Sequence, residues 1–530
     1  MIRRKLYKYL LASIMCLLTV ACEDLDSLNQ DPNNPAEVPS HMLMSGTEKW
    51  IMDNLYDAWF SGRQCLLYSQ YWVQRNYTEE DRYQIRESVN NSSFNYLYQG
   101  IANLQQVVAL NTDQQTKESN ARYGANCNQI AAATILKVWL MGIITDTWGN
   151  VPYSDVGKLK EGVLYCKYDE QKSIYETLIG ELTTAVNQID ESQKAFVSGD
   201  VIYGGDASKW KKFGNSLKCR LAIHLSKVDS NWKTHIAEAV ASGVFTSNAD
   251  AAAFKYSSSG LDCCKFYASY YVDGRNDFSI SKTLIDILKG EADEWNGKSH
   301  PWAGTVDPRL KMYTTSNGGA YNGIPYGAPT ENMASLRPGT PNWLANPPAF
   351  LNKHFSVPLM TYAELLFILS EYKGFSTSEY QAGIEASLDY WAALCASDMT
   401  VAEKGVYVTA VLAKGATPET VAMQKYIDLY LNGTEAWTEI RRTGYPEQVL
   451  RPGEITTRVD GKDINFIPLS EVKGDIISRV KYPTNESTLN GVNWKEAVSK
   501  LTDGTNNYYS KMYWDVRTAT YAHPVNKINN

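Results

Sequence analysis

A mostly α-helical chain of tetratricopeptide-like helix pairs with long irregular loop excursions is the fold the sequence predicts, and three observations predict it. Apolar residues recur at i, i+3, i+4 and i+7 in many separate stretches. Those stretches fall into pairs spaced roughly 35–45 residues apart without a strict sequence repeat, which suggests a diverged α-solenoid. Between residues 244 and 350 the rhythm breaks into segments rich in Gly, Ser, Asn, Pro and Tyr, the composition of loops.

Hydrophobic content of 44% with 21% charged residues is ordinary for a folded globular protein. The length of 530 residues would accommodate several domains. No transmembrane span or low-complexity linker divides the helical stretches, so a single domain is expected over residues 42–530, with its long loops at about 244–350. The first 21 residues read as an export signal, in which Arg3, Arg4, Lys5 and Lys8 precede an apolar run too short to span a bilayer stably. The sequence Leu18-Thr19-Val20-Ala21-Cys22 resembles a bacterial lipobox, with Cys22 as the residue to be lipidated and Thr19 where that pattern prefers Leu. Residues 22–41 are expected to be a lipidated tether, because the Pro and Asn density of NQDPNNP at 29–35 opposes a helix.

Helical spacing then predicts elements over 42–60, 94–110 and 123–145. The stretch 68–83, dense in Tyr and charged residues around Trp72, reads as a loop or ragged helix end. At 143–156 the long apolar helix should close on Gly149 and Asn150, which tolerate left-handed backbone, and Pro152 should keep it from resuming. Trp148 and Tyr153 either wedge this corner into the core or face a ligand, and packing is the preferred reading. Further helices are expected over 173–189, 210–226 (capped by Asp206) and 232–241. Residues 256–277 and 313–350 are long enough to be binding loops, with a helix at 280–288 between them. Helices return over 360–375, 380–397, 401–413 and 418–431, and the last 80 residues read as short and irregular.

Composition excludes several functions. Four of the 51 basic residues lie in the signal, and the remaining 47 against 58 acidic ones leave a formal charge of −11. So acidic a chain is a poor nucleic-acid binder, since phosphate contacts dominate that affinity. Seven scattered cysteines beyond Cys16 and Cys22 do not describe a disulfide framework, and Cys127 and Cys219 read as buried thiols. None of the six His stands in a metal-ligand spacing, and neither a G-x-S-x-G elbow nor a Walker loop occurs. No metal or cofactor is expected, and the chain reads as a binding protein rather than an enzyme. A carboxylate pair for glycoside hydrolysis and a purely structural or adhesive surface protein are the competing readings.

Seven segments spread in order along the chain carry a resemblance. They are Cys22-Glu-Asp-Leu with NQDPNNP, DTWGNVPYSD at 146–155, KWKKFGNSLKCRLAIHL at 209–225 and DPRL at 307–310. PLMTYAELLFILSE at 358–371, EAWTEIRRTGYP at 435–446 and RVKYPTNESTLN at 479–490 complete the set. Together they resemble the SusD/RagB family of outer-membrane nutrient-binding lipoproteins, nearer its SusD-like 2 branch. The resemblance implies a tetratricopeptide-like scaffold, anchored by lipid in the outer membrane and facing outward. It implies a lid on a SusC-like TonB-dependent transporter that captures glycan, or peptide in some relatives, without catalysis. The acidic residues after Cys22 resemble the surface-export signal of Bacteroidetes lipoproteins. Glu435, Glu439, Arg441 and Arg442 are expected to fix a late helix by ion pairs, and Arg309 to lock the Asp307-Pro308 turn; both motifs read as scaffold.

For the ligand surface the density of aromatics in irregular segments favours Trp72, Tyr77, Tyr83, Tyr270, Tyr271, Tyr321, Tyr326 and Trp343. Burial in the core, or against the transporter, is the competing reading for each.

Overall fold

A computed structural model describes residues 38–257, 262–337 and 349–517. The expected signal, Cys22, most of the tether and Trp343 lie outside these residues. Among the described residues we number the helices of eight residues or more. The first, α1 (Ser40–Leu55), buries Met44, Thr47, Glu48, Ile51, Met52 and Leu55 as one stripe at helical spacing. It packs on α2 (Glu87–Thr112), α2 on α3 (Asn126–Trp148), α3 on α4 (Gln171–Asn187), α4 on α5 (Ala207–His224) and α5 on α6 (Trp232–Ser242). Each helix therefore covers the apolar face of its predecessor, which is how a helix-pair solenoid makes one core from units that cannot bury themselves.

The second half closes onto α5. After α7 (Lys282–Lys289) come α8 (Tyr362–Tyr372), α9 (Thr377–Leu394), α10 (Val401–Leu412), α11 (Pro418–Asp428), α12 (Gly433–Thr443) and α13 (Gly491–Ser499). Of these, α8 packs on α5, α9 and α11. The described strands pair in antiparallel twos, 72–74 with 278–280, 151–152 with 168–169, 252–255 with 356–360, and 455–459 with 462–465. A contiguous core runs from Met44 to Trp514.

The expected mostly α, helix-pair scaffold is what is observed, and the departures have physical reasons. Helix α2 starts seven residues earlier than its apolar pattern, through the polar run ESVNNSS. Asn90 in that run is buried and accepts the Trp148 indole N–H at 3.0 Å, so its amide supports the helix from the side. Helix α3 is apolar on every face because α2, α4, α5 and α12 surround it. It ends as expected at Gly149, whose φ of +86° suits a residue without Cβ. Trp148 packs between Phe60 and Phe94 with ring centroids 6.0 and 5.2 Å away, so the corner is packed. The Asp206 carboxylate caps α5, accepting the Ser208 and Lys209 amides.

Residues 451–517, expected to be short and irregular, carry the 455–465 hairpin and α13 among turns, and they are not peripheral. Ile476, Ile477, Val480, Tyr482 and Trp514 are fully buried. Their backbone is held by side chains, as where the Arg479 guanidinium donates to the Trp148 and Asn507 carbonyls at 2.8 and 2.9 Å. All seven described cysteines are free, and Cys127 is only partly buried whereas Cys219 is fully so.

Candidate ligand-binding face

The three aromatic-rich segments converge. The strand 72–74 runs antiparallel to 278–280, and the Arg75 amide donates to the Asp277 carbonyl at 2.7 Å. Beyond it, the Thr78 amide donates to Thr330 Oγ1 at 3.2 Å and the Arg337 guanidinium to Asn76 Oδ1 at 2.7 Å. Residues 75–79 thus lie between 277–279 and 330–337. Beneath them Arg63 donates to Glu80 at 2.6 Å and to Asp277 at 2.7 Å, and Arg275 to the same Asp277 at 2.8 Å. Arg75, mostly buried beside Arg337, has its guanidinium pKa lowered by burial first and by that neighbouring cation second.

This convergence sorts the candidate residues. Trp72 is fully buried, ringed by Phe266, Phe278 and Phe350, and its indole N–H donates to the Tyr430 hydroxyl at 3.2 Å. Tyr83 packs edge-on to Tyr68 and Phe466, and Tyr326 packs edge-on to the same Phe466. Tyr270 has 1% of its surface exposed. These four are core residues and offer no ring to a ligand. The reason is that short segments between charged residues still send their largest apolar side chains into the core, as where all three residues of the strand 72–74 are buried. Tyr77 and Tyr271 stay exposed on the converged face, Tyr271 resting on Tyr267 with ring centroids 4.7 Å apart. Tyr321 is partly buried and lines a different cleft of about 590 Å³, between residues 304–311 and α10. The seven described candidates therefore do not form one platform.

The best-built aromatic position on this face is one the sequence pattern hid. Trp59 is 40% exposed. Both the Arg63 and Arg275 guanidiniums approach its ring, at 5.1 and 4.8 Å from the centroid. Both also bind Oδ2 of Asp277, which ties the two guanidiniums to one carboxylate beside the indole. Trp59 also walls a cleft of about 310 Å³, whose other wall is Tyr96, 41% exposed. Asn54, Asp57, Ser88, Ser92 and Ser93 line the space between. Tyr96 is steadied by Trp50, which packs edge-on to its ring at 5.5 Å and donates its indole N–H to the Tyr96 carbonyl at 2.9 Å. Asp57 folds back to accept the Trp59 and Phe60 amides at 3.0 and 2.7 Å. Burial raises its carboxyl pKa, and those two donors oppose the rise.

Spacing alone puts Trp59 inside, four residues after the buried Leu55 on the α1 stripe. The helix ends at Leu55, Tyr56 takes non-helical angles, and the phase is lost before Trp59. Asp57, a short acceptor two and three residues before the amides it caps, was the available local signal of that break.

Deep in the scaffold, His224, Glu435 and Glu439 bring ligand-type atoms within 4.8 Å of one another, a spacing that could hold a metal ion. Protein cations already serve those carboxylates. Lys425 lies 3.2 Å from Glu439 and 3.7 Å from Glu435, Arg442 lies 2.8 Å from Glu439, and His224 bonds Glu435 at 2.9 Å. Burial pushes the Glu435 carboxyl up, but His224 and Arg220 outweigh it and bring it down to about 2. The expected ion pairs of this late helix are present at Glu435, Glu439 and Arg442. Arg441 differs, lying 3.5 Å above the Trp437 ring and donating to the Asp146 and Ser478 carbonyls at 2.9 and 2.8 Å. A cation stacked there ties three distant segments together by backbone bonds rather than by an ion pair.

A stack of helix pairs that seals its charged clusters inside and turns a hydroxyl-lined aromatic cleft to solvent is a binding scaffold. The chain belongs to the SusD-like 2 family, described as starch-binding and associating with the outer membrane, whose profile matches residues 32–465. No curated protein matches the sequence. Among solved structures, a chitin-binding protein is similar at 24% identity and a TM-score of 0.71, over 89% of this chain and 100% of that one. A SusD homologue from Parabacteroides distasonis is similar at 22% identity and a TM-score of 0.70, over 90% and 98% of the two chains. A chitin-binding SusD homologue from Flavobacterium johnsoniae is similar at 22% identity and a TM-score of 0.67, over 91% and 100%. These likenesses establish the fold.

Proposed function

We propose that this protein is a lipid-anchored outer-membrane protein, exposed at the cell surface, that captures glycan and hands it to a SusC-like TonB-dependent transporter without chemistry of its own. The observation that carries the capture role is the cleft between Trp59 and Tyr96. A sugar ring presents one apolar C–H face and a rim of hydroxyls. The indole and phenol rings suit the former, and the Asn54 amide with the Ser88 and Ser92 hydroxyls suits the latter. An open cleft of this kind grips a few residues of a polymer while the rest passes outside. Family membership supports a glycan ligand and an outer-membrane setting, and two of the similar solved structures are of chitin-binding proteins. The anchor at Cys22 and the transporter rest on the sequence resemblance.

Isothermal calorimetry against malto-oligosaccharides and N-acetylglucosamine oligomers tests the reading. Trp59→Ala is expected to weaken the best-bound glycan about tenfold, the order of 1.4 kcal/mol for one lost stacking ring. Trp72→Ala should instead leave any residual binding site intact while destabilising the fold by about 3–5 kcal/mol, as for other buried aromatic truncations. Unchanged affinity in Trp59→Ala would remove the cleft from the capture role, and failure of every glycan in the panel would remove glycan as the ligand class. Affinity purification from detergent-solubilised membranes should recover a large TonB-dependent barrel. Recovery of soluble proteins alone would overturn the transporter assignment.

A further inference from the structure

Residues 197–206 fold back against the first helix, and two carboxyl groups meet in that contact. Gly199, at φ of +92°, brings the loop so close that a Cβ added there would fall 2.5 Å from the His41 carbonyl on α1. Two turns further along α1, Glu48 is 1% exposed and accepts the Val201 amide through Oε2 at 2.7 Å. Its other oxygen, Oε1, is buried, and among the described residues nothing donates to it. The side chain that Glu48 does meet, within hydrogen-bond reach, is the buried Asp200. Asp200 is richly served. Its Oδ1 accepts the Ile202 and Tyr203 amides at 3.0 Å each. Its Oδ2 accepts the Gly205 amide at 2.8 Å and the Trp210 indole N–H at 2.7 Å.

Two carboxyl groups in contact inside a protein cannot both be ionised without a cation between them. Among the described residues no lysine, arginine or histidine pairs with either. On α1, Lys49 turns to Asp53 and His41 stacks on Tyr123. Arg122 donates to the Ser119 carbonyl, and α2, packed along α1, carries only Glu87, which accepts the Thr484 amide. On the loop side, Asp206 caps α5 and Lys212 pairs with Asp250. The donors decide which carboxyl keeps its charge, since Asp200 has four N–H groups and Glu48 has one. A proton on Glu48 turns a repulsive contact into a hydrogen bond, with the Glu48 hydroxyl donating to Asp200. Burial pushes the Glu48 carboxyl well above its ordinary range, and the Asp200 charge adds to that rise against the Val201 amide.

We propose that Glu48 holds a proton at neutral pH and shares it with Asp200, and that this proton is a pH-sensitive latch seating α1 on the 197–206 loop. The direction of the pH effect follows from the exchange of environments. Opening α1 exposes Glu48 to water, where its carboxyl returns to an ordinary 4.5. Below that pH the proton is held in both states and opening releases none. Above it, opening releases the proton, so each pH unit favours the opened state by up to about tenfold until the seated carboxyl itself titrates. The latch is tight in acid and weakens as the pH rises. Its reach extends beyond the contact itself, because Trp50 and Asn54, which steady and line the aromatic cleft, both lie on α1.

Hydrogen-exchange mass spectrometry on the full chain, with parent and variants compared at the same pH from about 5 to 8, tests this directly. In Glu48→Gln the side-chain amide can donate to Asp200 and accept from Val201 at every pH. Amides of α1 and of the 197–206 loop are expected to exchange at similar rates in parent and variant near pH 5. The parent should then exchange faster than Glu48→Gln, by up to about tenfold more for each added pH unit. Amides of α10 and α13 should keep a constant ratio. Glu48→Met retains neither bond and starts from its own offset, but the parent-to-variant ratio in α1 should climb with pH in the same steps. A purely structural role for Glu48 gives offsets that do not change with pH, and that result in both variants would overturn the shared proton. A rise spread evenly over all helices would overturn the latch as a local device.

Discussion

Replacing Arg309 with Met is expected to destabilise the protein by about 3–5 kcal/mol, the range for removing one partner of a buried ion pair. Arg309 and Asp307 are both fully buried. The guanidinium spans both Asp307 oxygens at 3.0 and 2.7 Å. It also donates to Ser387 on α9 at 2.8 Å and to Gln424 on α11 at 2.7 Å. The Tyr407 hydroxyl on α10 completes the set by donating to Asp307 at 2.5 Å. One turn thereby fixes the relative placement of three helices, and without Arg309 the Asp307 carboxyl is left buried without its cationic partner. The double variant Asp307→Asn with Arg309→Met should recover part of the loss, because it removes that stranded carboxyl. Urea unfolding followed by circular dichroism measures both. A loss below about 1 kcal/mol in the single variant would show that water or another cation reaches Asp307 easily.

The second large effect concerns acid. The Glu435 carboxyl sits at about 2 in the folded protein against an ordinary 4.5. A depressed folded value means that this group stabilises the fold fully above about pH 4.5, and that the contribution is lost as the pH falls toward 2. The shift corresponds to about 3 kcal/mol at neutral pH. Glu439, lowered by Arg442 and Lys425 against the cost of its burial, acts in the same direction. Asp146 and Glu364, raised chiefly by burial, act in the opposite one. The informative quantity is therefore a difference between proteins. Glu435→Gln should be less stable than the parent by about 3 kcal/mol at pH 7 and should close that gap between pH 4.5 and 2. A gap that stays constant across this range would mean that Glu435 is not the titrating group.

Both effects come from motifs visible in the sequence as scaffold, and the structure shows what such motifs conceal. The turn at 307–309 was legible as a locked turn, because Asp, Pro and Arg at that spacing can close on themselves. Its reach to Ser387, Tyr407 and Gln424 was not, since those residues are 78 to 115 positions away. In the 435–442 segment, helical spacing foretold the Glu439–Arg442 pair. It gave no hint that Arg441 would leave the ion-pair pattern for the Trp437 ring and two distant carbonyls.

The aromatic loops divide in the same way. Their composition marked them as binding-loop candidates, yet four of the eight chosen rings, Trp72, Tyr83, Tyr270 and Tyr326, turned inward. Trp59, which turned outward, was hidden within a helical stripe. Composition records how much aromatic surface a segment carries. Which ring meets water depends on where a helix ends and which strand it pairs with.

What the sequence by itself determined is the helix-pair scaffold, the packed corner at Trp148 and the family, because each rests on local spacing or on short motifs that keep their order along the chain. What only the tertiary structure decided is the cleft between Trp59 and Tyr96 and the reach of Arg309 to three helices. Both are made by residues on separate segments, and the long-range packing that brings them together is encoded by no local pattern.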